Sequence, residues 1–352
     1  MSNISQIWIM DEQTYDEEAM ATRPIGTGPY VVTDYVVNSH TVCERRDDYW
    51  GEAPALKTVT FRVISEPSQR VNALETGLVD FAKINLSDSA YVQSLPGFAI
   101  HQRVGGWVYL GFNIDRNSKL ADPEMRYAIC HAIDRQALSD IVYYGLAQVM
   151  TNPWPLTNFG NTEDLQNLGV YEKGYDVELA KELADKSGLT GQTLLLANNG
   201  AAELVTCCEM IQEMLEKIGV HTEIVSYDSA SFATVKSDPS TYDILVSNGV
   251  VSNNLMGDNL KSMDMNKIYV VPENWAFGHG PRYYEIYGAV HHVDDAIRVP
   301  VIKECVEYYL ETLPNFGMIS FNNIYAYAAD LDMDAYTERG FSVYYASDFT
   351  FK

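Results

Sequence analysis

The chain is poor in positive charge: 24 Lys and Arg stand against 48 Asp and Glu, and the basic residues are never assembled into a cluster. A surface that tracks phosphates needs such clusters, so the formal net charge of −24 argues against nucleic acid as a partner and reads as solubility. No stretch approaches the roughly 20 apolar residues that span a bilayer, and the opening MSNISQIWIMDEQ has neither a basic leader nor a hydrophobic core of signal-peptide type. The five cysteines, Cys43, Cys130, Cys207, Cys208 and Cys305, are odd in number and lack CxxC or Cys/His spacing, so they read as free, mostly buried thiols. Neighbours such as Cys207 and Cys208 diverge on a helix and do not share a metal.

Catalytic signatures are missing as well. There is no GxSxG elbow, no HExxH and no Walker loop. His291 and His292 are adjacent but have no acidic or sulfur ligand at helical spacing, so no metal and no cofactor is expected. What is present is ordinary globular composition, 47% hydrophobic with 20% charged residues, over a length that supports one or two sizeable cores.

The first hundred residues are strand-rich. Thr27 to Tyr35 and His40 to Arg46 alternate like paired strands about a turn at Asn38 and Ser39. Val59 to Ile64, a helix from Pro67 to Thr76 closed by Gly77, and Val79 to Ala82 predict a strand–helix–strand unit with a right-handed crossover. A short helix over Ser87 to Leu95 follows, then two strands at Ala99 to Arg103 and Trp107 to Asn113. At Asp122 the period changes to that of a long helix, capped by Asp122 and carrying Met125, Ala128, Ile129, Ala132 and Ile133 on one face. Helices at Val177 to Lys186, Ala201 to Ile218, Ser229 to Lys236 and Asp295 to Leu313 then alternate with strands at Leu194 to Ala197, Val220 to Tyr227 and Tyr242 to Ser247. That alternation predicts a parallel or mixed sheet covered on both faces.

Five segments in fixed order carry more than any one of them: GTGPY at Gly26 to Tyr30, RRDDYWG at Arg45 to Gly51, RVNALETGLVDF at Arg70 to Phe81, YLGFN at Tyr109 to Asn113, and LADPEMRYAICHAIDR at Leu120 to Arg135. Physically each has a structural reading. GTGPY is a turn feeding a strand, Tyr49 and Trp50 anchor a loop against the lobe, Asp80 satisfies local amides, and Arg126 with Asp134 makes a salt bridge or cap contact. As an ordered array they resemble the extracellular solute-binding proteins of family 5, the peptide- and nickel-binding lipoproteins that feed ABC importers. The resemblance implies an α/β, type II periplasmic-binding-protein-like fold with two lobes joined by hinge strands, Tyr109 to Asn113 and Met318 to Asn323. It places residues 1–111 and 321–352 in the first lobe and 112–320 in the second, ligand-binding lobe.

The same resemblance implies a chain that is the C-terminal portion of a longer protein, without the signal and the N-terminal lobe segments. It implies a binding protein and not an enzyme: a peptide or other small polar solute is captured between lobes and delivered to ABC permease subunits on the periplasmic or extracellular face, with membrane association only through a missing lipid anchor. The alternatives are a truncated binding fold with little affinity, or a hydrolase of unrecognised type. Truncation would leave apolar surface open. Expected ligand contacts are Trp107, Tyr109, Phe321 and Asn322 on the hinge segments, and Asn248, Gly249, Val250, Ser252 and Asn253 in a loop at the carboxyl edge of the sheet, where α/β proteins bind ligands. In peptide-binding members this loop carries a Trp and then an Asp that pairs with the ligand's α-amino group. Here Gly249 and Ser252 stand in those places, so the expected contacts, including Asn254, are neutral.

Overall fold

The computed structural model describes residues 16–113, 116–155, 162–235, 238, 240–250, 281–290, 292–333 and 346–352. The chain divides into two compact units, residues 1–103 with 323–352, and residues 104–322. It passes from one to the other inside a strand each time.

The first unit opens with a short helix α1 (Glu17–Met20) and a three-stranded antiparallel meander, β1 (Tyr30–Val36), β2 (His40–Arg45) and β3 (Thr58–Arg62). The β1–β2 turn is made by Asn38, whose φ of 57° is the left-handed conformation that Asn tolerates. Helix α2 (Pro67–Glu75) starts on proline, and Gly77 follows it at φ 67°. Strand β4 (Phe81–Ile84) pairs antiparallel with the end of β10 (Asn315–Ala328), and α3 (Ser89–Ser94) leads into β5 (Phe98–Phe112). β3 and β4 lie in different sheets, so the strand–helix–strand unit predicted around α2 is not a crossover: antiparallel partners on both sides take up the hydrogen bonds a parallel pair would need. Trp50 is 81% exposed and does not anchor a loop by burial. Its indole N–H donates to the Thr27 carbonyl at 2.9 Å and its ring tilts against Tyr49, which satisfies the polar edge without a pocket. Asp80 engages through its backbone carbonyl, which accepts from the Ala328 amide. The short pair β11 (Leu331–Asp332) and β12 (Thr350–Phe351) closes this unit.

The second unit is a mixed sheet wrapped by helices. β5 is one strand of 15 residues where two were expected, because Val104 to Gly106 stay extended between them. From Gly106 onward it pairs antiparallel with β9 (Ile244–Val250), while β7 (Thr193–Asn198) runs parallel to both β9 and β8 (His221–Ser226). The short β6 (Gln148–Val149) pairs with β10 at Ser320 and Ile319. β9 continues through Asn248 and Gly249, which sequence reading assigned to a loop; the ladder with Val108 and Trp107 holds them in the sheet.

The helix expected from Asp122 is two, α4 (Pro123–Ala132) and α5 (Arg135–Val142), each begun by an aspartate whose carboxylate caps a backbone amide: Asp122 to Glu124, Asp134 to Ala137. Asp134 is therefore a cap, and Arg126 instead donates to main-chain carbonyls. α6 (Val170–Lys173) and α7 (Val177–Ser187) follow, then α8 (Ala202–Glu216) and α9 (Ser229–Val235) between the parallel strands. The last predicted helix is interrupted at Pro300, giving α11 (Asp295–Arg298) and α12 (Ile302–Thr312), preceded by α10 (Pro281–Val290).

His131 illustrates how burial sets this unit's response to acid. Its Nδ1 donates to the Gly174 carbonyl at 2.6 Å, and burial lowers its pKa below 6.5 although that bond and Asp176 oppose the shift; Lys173 and Arg135 lower it further. The unfolded chain then takes up a proton at a higher pH than the folded one, so stability falls as pH drops through 6.5 toward the folded value. We expect His131→Asn, which keeps a donor, to flatten the fall in urea midpoint between pH 7 and about 5. An unchanged slope would remove His131 as its source.

Candidate functional site

The site is built where the parallel strands end. β7 sends its connection into α8 and β8 sends its own into α9. Asn198, the last residue of β7, donates to Cys208 Sγ on α8 at 3.4 Å, whereas its neighbour Ala197 packs with Phe232 and Val235 of α9. Consecutive strand residues face opposite ways, so α8 and α9 cover opposite faces of the sheet. Two adjacent strands whose connections part to opposite faces leave a crevice between their carboxyl ends. It is present: an open cavity of about 510 Å³ lined by Asn199, Gly200, Ala201, Ser226, Tyr227, Asp228 and Ser229.

Local hydrogen bonds hold its rim. Asn198 Oδ1 accepts from the Gly200 amide at 2.8 Å and Asn199 Oδ1 from the Ala201 amide at 3.1 Å. Gly200 has φ 74°, and a Cβ there would lie 2.9 Å from the Tyr227 carbonyl oxygen, so the rim closes only on glycine. Asp228 accepts from Ser231 Oγ at 2.6 Å and from the amides of Ser231 and Ala230 at 3.0 Å; those bonds hold its carboxyl below the usual range. It stays ionised and exposed on the rim, and the groups around it are hydroxyls, amides and carbonyls suited to a polar solute.

The residues expected from sequence fall into separate groups. Trp107 and Gly249 are cross-strand partners on one face. Tyr109, on the same face and paired with Ser247, is only 6% exposed and packs in the core. Phe321 lies on the other face, its ring stacked on Tyr143 at 5.8 Å, and Asn322 donates to the Leu146 carbonyl at 3.4 Å. Asn248 is exposed at the end of β9 and Val250 closes the ladder opposite Gly106. Ser252, Asn253, Asn254 and His291 lie outside the described residues. The rim of β7 and β8 was missed because the carboxyl-edge rule was applied to β9 alone; the NNGA run after β7 and the YDS run after β8 were the signals available. Among the described residues no group of His, Cys, Asp and Glu has metal-binding geometry, and no helix is long and apolar enough to cross a membrane.

The family described as "Bacterial extracellular solute-binding proteins, family 5 Middle" matches residues 1–266. The nickel-binding periplasmic protein of Escherichia coli is 29% identical over 234 residues, 61% of this chain and 44% of that protein. The dipeptide-binding protein of the same organism is 29% identical over 229 residues, 60% of this chain and 40% of its own length. This chain thus spans less than half of the curated relatives it matches. Among solved structures, the ABC transporter substrate-binding protein CtaP of Listeria monocytogenes superposes with a TM-score of 0.83 at 20% identity, covering 97% of this chain and 70% of that one. DppA of Helicobacter pylori, in complex with the peptide STSA, gives 0.73 at 22% identity, covering 97% and 66%. These neighbours share the type II periplasmic-binding-protein fold, in agreement with the α/β class expected from sequence.

Proposed function

Because the chain belongs to the bacterial extracellular solute-binding proteins of family 5, we propose that it is substrate-binding machinery of an ABC importer, taking a peptide or similar small polar solute and handing it to permease subunits on the outer face of the membrane. The observation that carries this reading is the polar crevice at the carboxyl ends of β7 and β8, beside the end of β9. Its groups match the donors and acceptors of amide bonds, and nothing in the function requires a chemical step: affinity comes from burial of the solute and from satisfied hydrogen bonds. The division into two units supports a two-lobed protein. The family relatives named as periplasmic support an extracytoplasmic place of work.

Calorimetric titration of the whole chain with free and N-acetylated di- to tetrapeptides tests the proposal. A binding peptide at a hundredfold excess over its Kd should raise stability by about 2.7 kcal/mol, and therefore the melting temperature. Acetylated peptides should bind within about tenfold of free ones, because the rim's carboxylate, Asp228, is exposed and a screened ion pair there is worth about 1 kcal/mol or less. Absence of heat and of a melting shift with every peptide would remove the reading.

A further inference from the structure

Where β5 pairs with β9, a large ring is left partly open. Val108, Leu110 and Phe112 on β5 are buried, as are Leu245, Val246 and Ser247 on β9, yet the Trp107 indole between them and the end of β9 is only half-buried. Two glycines keep it there. A Cβ at Gly249 would lie 2.5–2.7 Å from indole carbons Cζ2, Cε2 and Cη2, so the ring rests directly on the Gly249 backbone. On the other face, a Cβ at Gly106 would run into the Gly249 carbonyl and lie 2.8 Å from Phe321 Cζ, so the backbones of β5 and β9 are locked at close approach. Glycine inside a strand weakens it and marks a place where something must come close. Here the approaching group is an aromatic ring, seated on the Gly249 backbone and half-buried.

We propose that Trp107 is a specificity-determining residue: the part of its ring left exposed stacks on an aromatic side chain of a bound peptide. The assignment rests on the solute-binding reading above and adds the class of side chain selected. A rigid ring with two torsions loses little conformational freedom on binding, and an aromatic pair gains beyond its area burial. That gain corresponds to roughly two- to tenfold in affinity.

The test compares N-acetyl-Ala-Phe-Ala-amide with N-acetyl-Ala-Leu-Ala-amide, titrated calorimetrically into the full chain. Wild type should favour the Phe peptide by about fivefold or more. Trp107→Leu should bring the two peptides within about twofold, chiefly by weakening the Phe peptide. Trp107→Phe retains an aromatic plate and should keep a preference between those limits, which guards against a Leu variant that fails to fold. Gly249→Ala, whose methyl displaces the indole, should act like Trp107→Leu. A Phe preference that survives both Trp107→Leu and Gly249→Ala overturns the assignment and leaves solute binding standing; binding of neither peptide by wild type overturns both.

Discussion

Arg126→Ala is expected to lower the stability of the unit formed by residues 104–322 by about 3 kcal/mol. Arg126 is 0% exposed in the middle of α4. Its guanidinium donates from Nη1 to the Leu120 carbonyl and from Nη2 to the Thr312 carbonyl at 3.1 Å, the last residue of α12. Carbonyls at a helix end have no partner of their own, and this one is capped by a side chain 186 positions earlier in sequence. Burial pulls the guanidinium down to about 10, still far enough above neutrality that it stays charged. Removing a buried ion relieves a desolvation cost, which offsets part of the loss. Two stranded carbonyls at about 1–3 kcal/mol each, with a cavity of several methylenes, outweigh it. Urea denaturation of wild type and variant measures the difference; a loss under about 1 kcal/mol would show that relief of the buried charge dominates.

Asp243→Ala should cost about as much, roughly 3 kcal/mol, for a different reason. Asp243, 3% exposed, stands just before β9 and joins three segments. Its Oδ2 accepts from the Leu195 amide of β7 and from Arg116 Nη1, both at 2.7 Å, while its carbonyl accepts from the Asn113 amide at the end of β5. Alanine leaves a strand amide without its acceptor and a guanidinium without its carboxylate. The two losses are separable. Asn can still accept from Leu195, and the Arg116 side chain is 36% exposed, where an ion pair is screened and worth about 1 kcal/mol or less. Asp243→Asn should therefore recover most of the stability. If Asn and Ala variants unfold at the same urea concentration, the ion pair and not the amide contact is the main term.

The YLGFN and LADPEMRYAICHAIDR segments were legible as motifs, and these two nodes say what they do. Asn113 donates to the Tyr242 carbonyl at 2.6 Å and, with Asp243, ties β5 to β9; Arg126 ties α4 to α12. Both contacts join residues far apart in sequence, which is why local periodicity found the elements and not their partners. The Asp122 cap was readable because it acts two residues away, and Asp134, read as a salt bridge or a cap, is a cap acting three residues away. The continuation of β9 through Gly249 was not readable, since glycine is a poor strand former alone and is held there by the facing Trp107. The crevice at β7 and β8 required the order of strands in the sheet, a property of pairing that alternation along one chain does not contain.

The seating of Trp107 on Gly249 also bears on how such a chain changes over generations. With an indole at 107, a side chain at 249 meets it at its first carbon and must push the ring off its seat. A smaller residue at 107 carries no such penalty and opens room at 249. Substitution is therefore ordered. An aromatic at 249 is easiest to accept once the indole at 107 has become smaller, and the reverse change meets the same constraint.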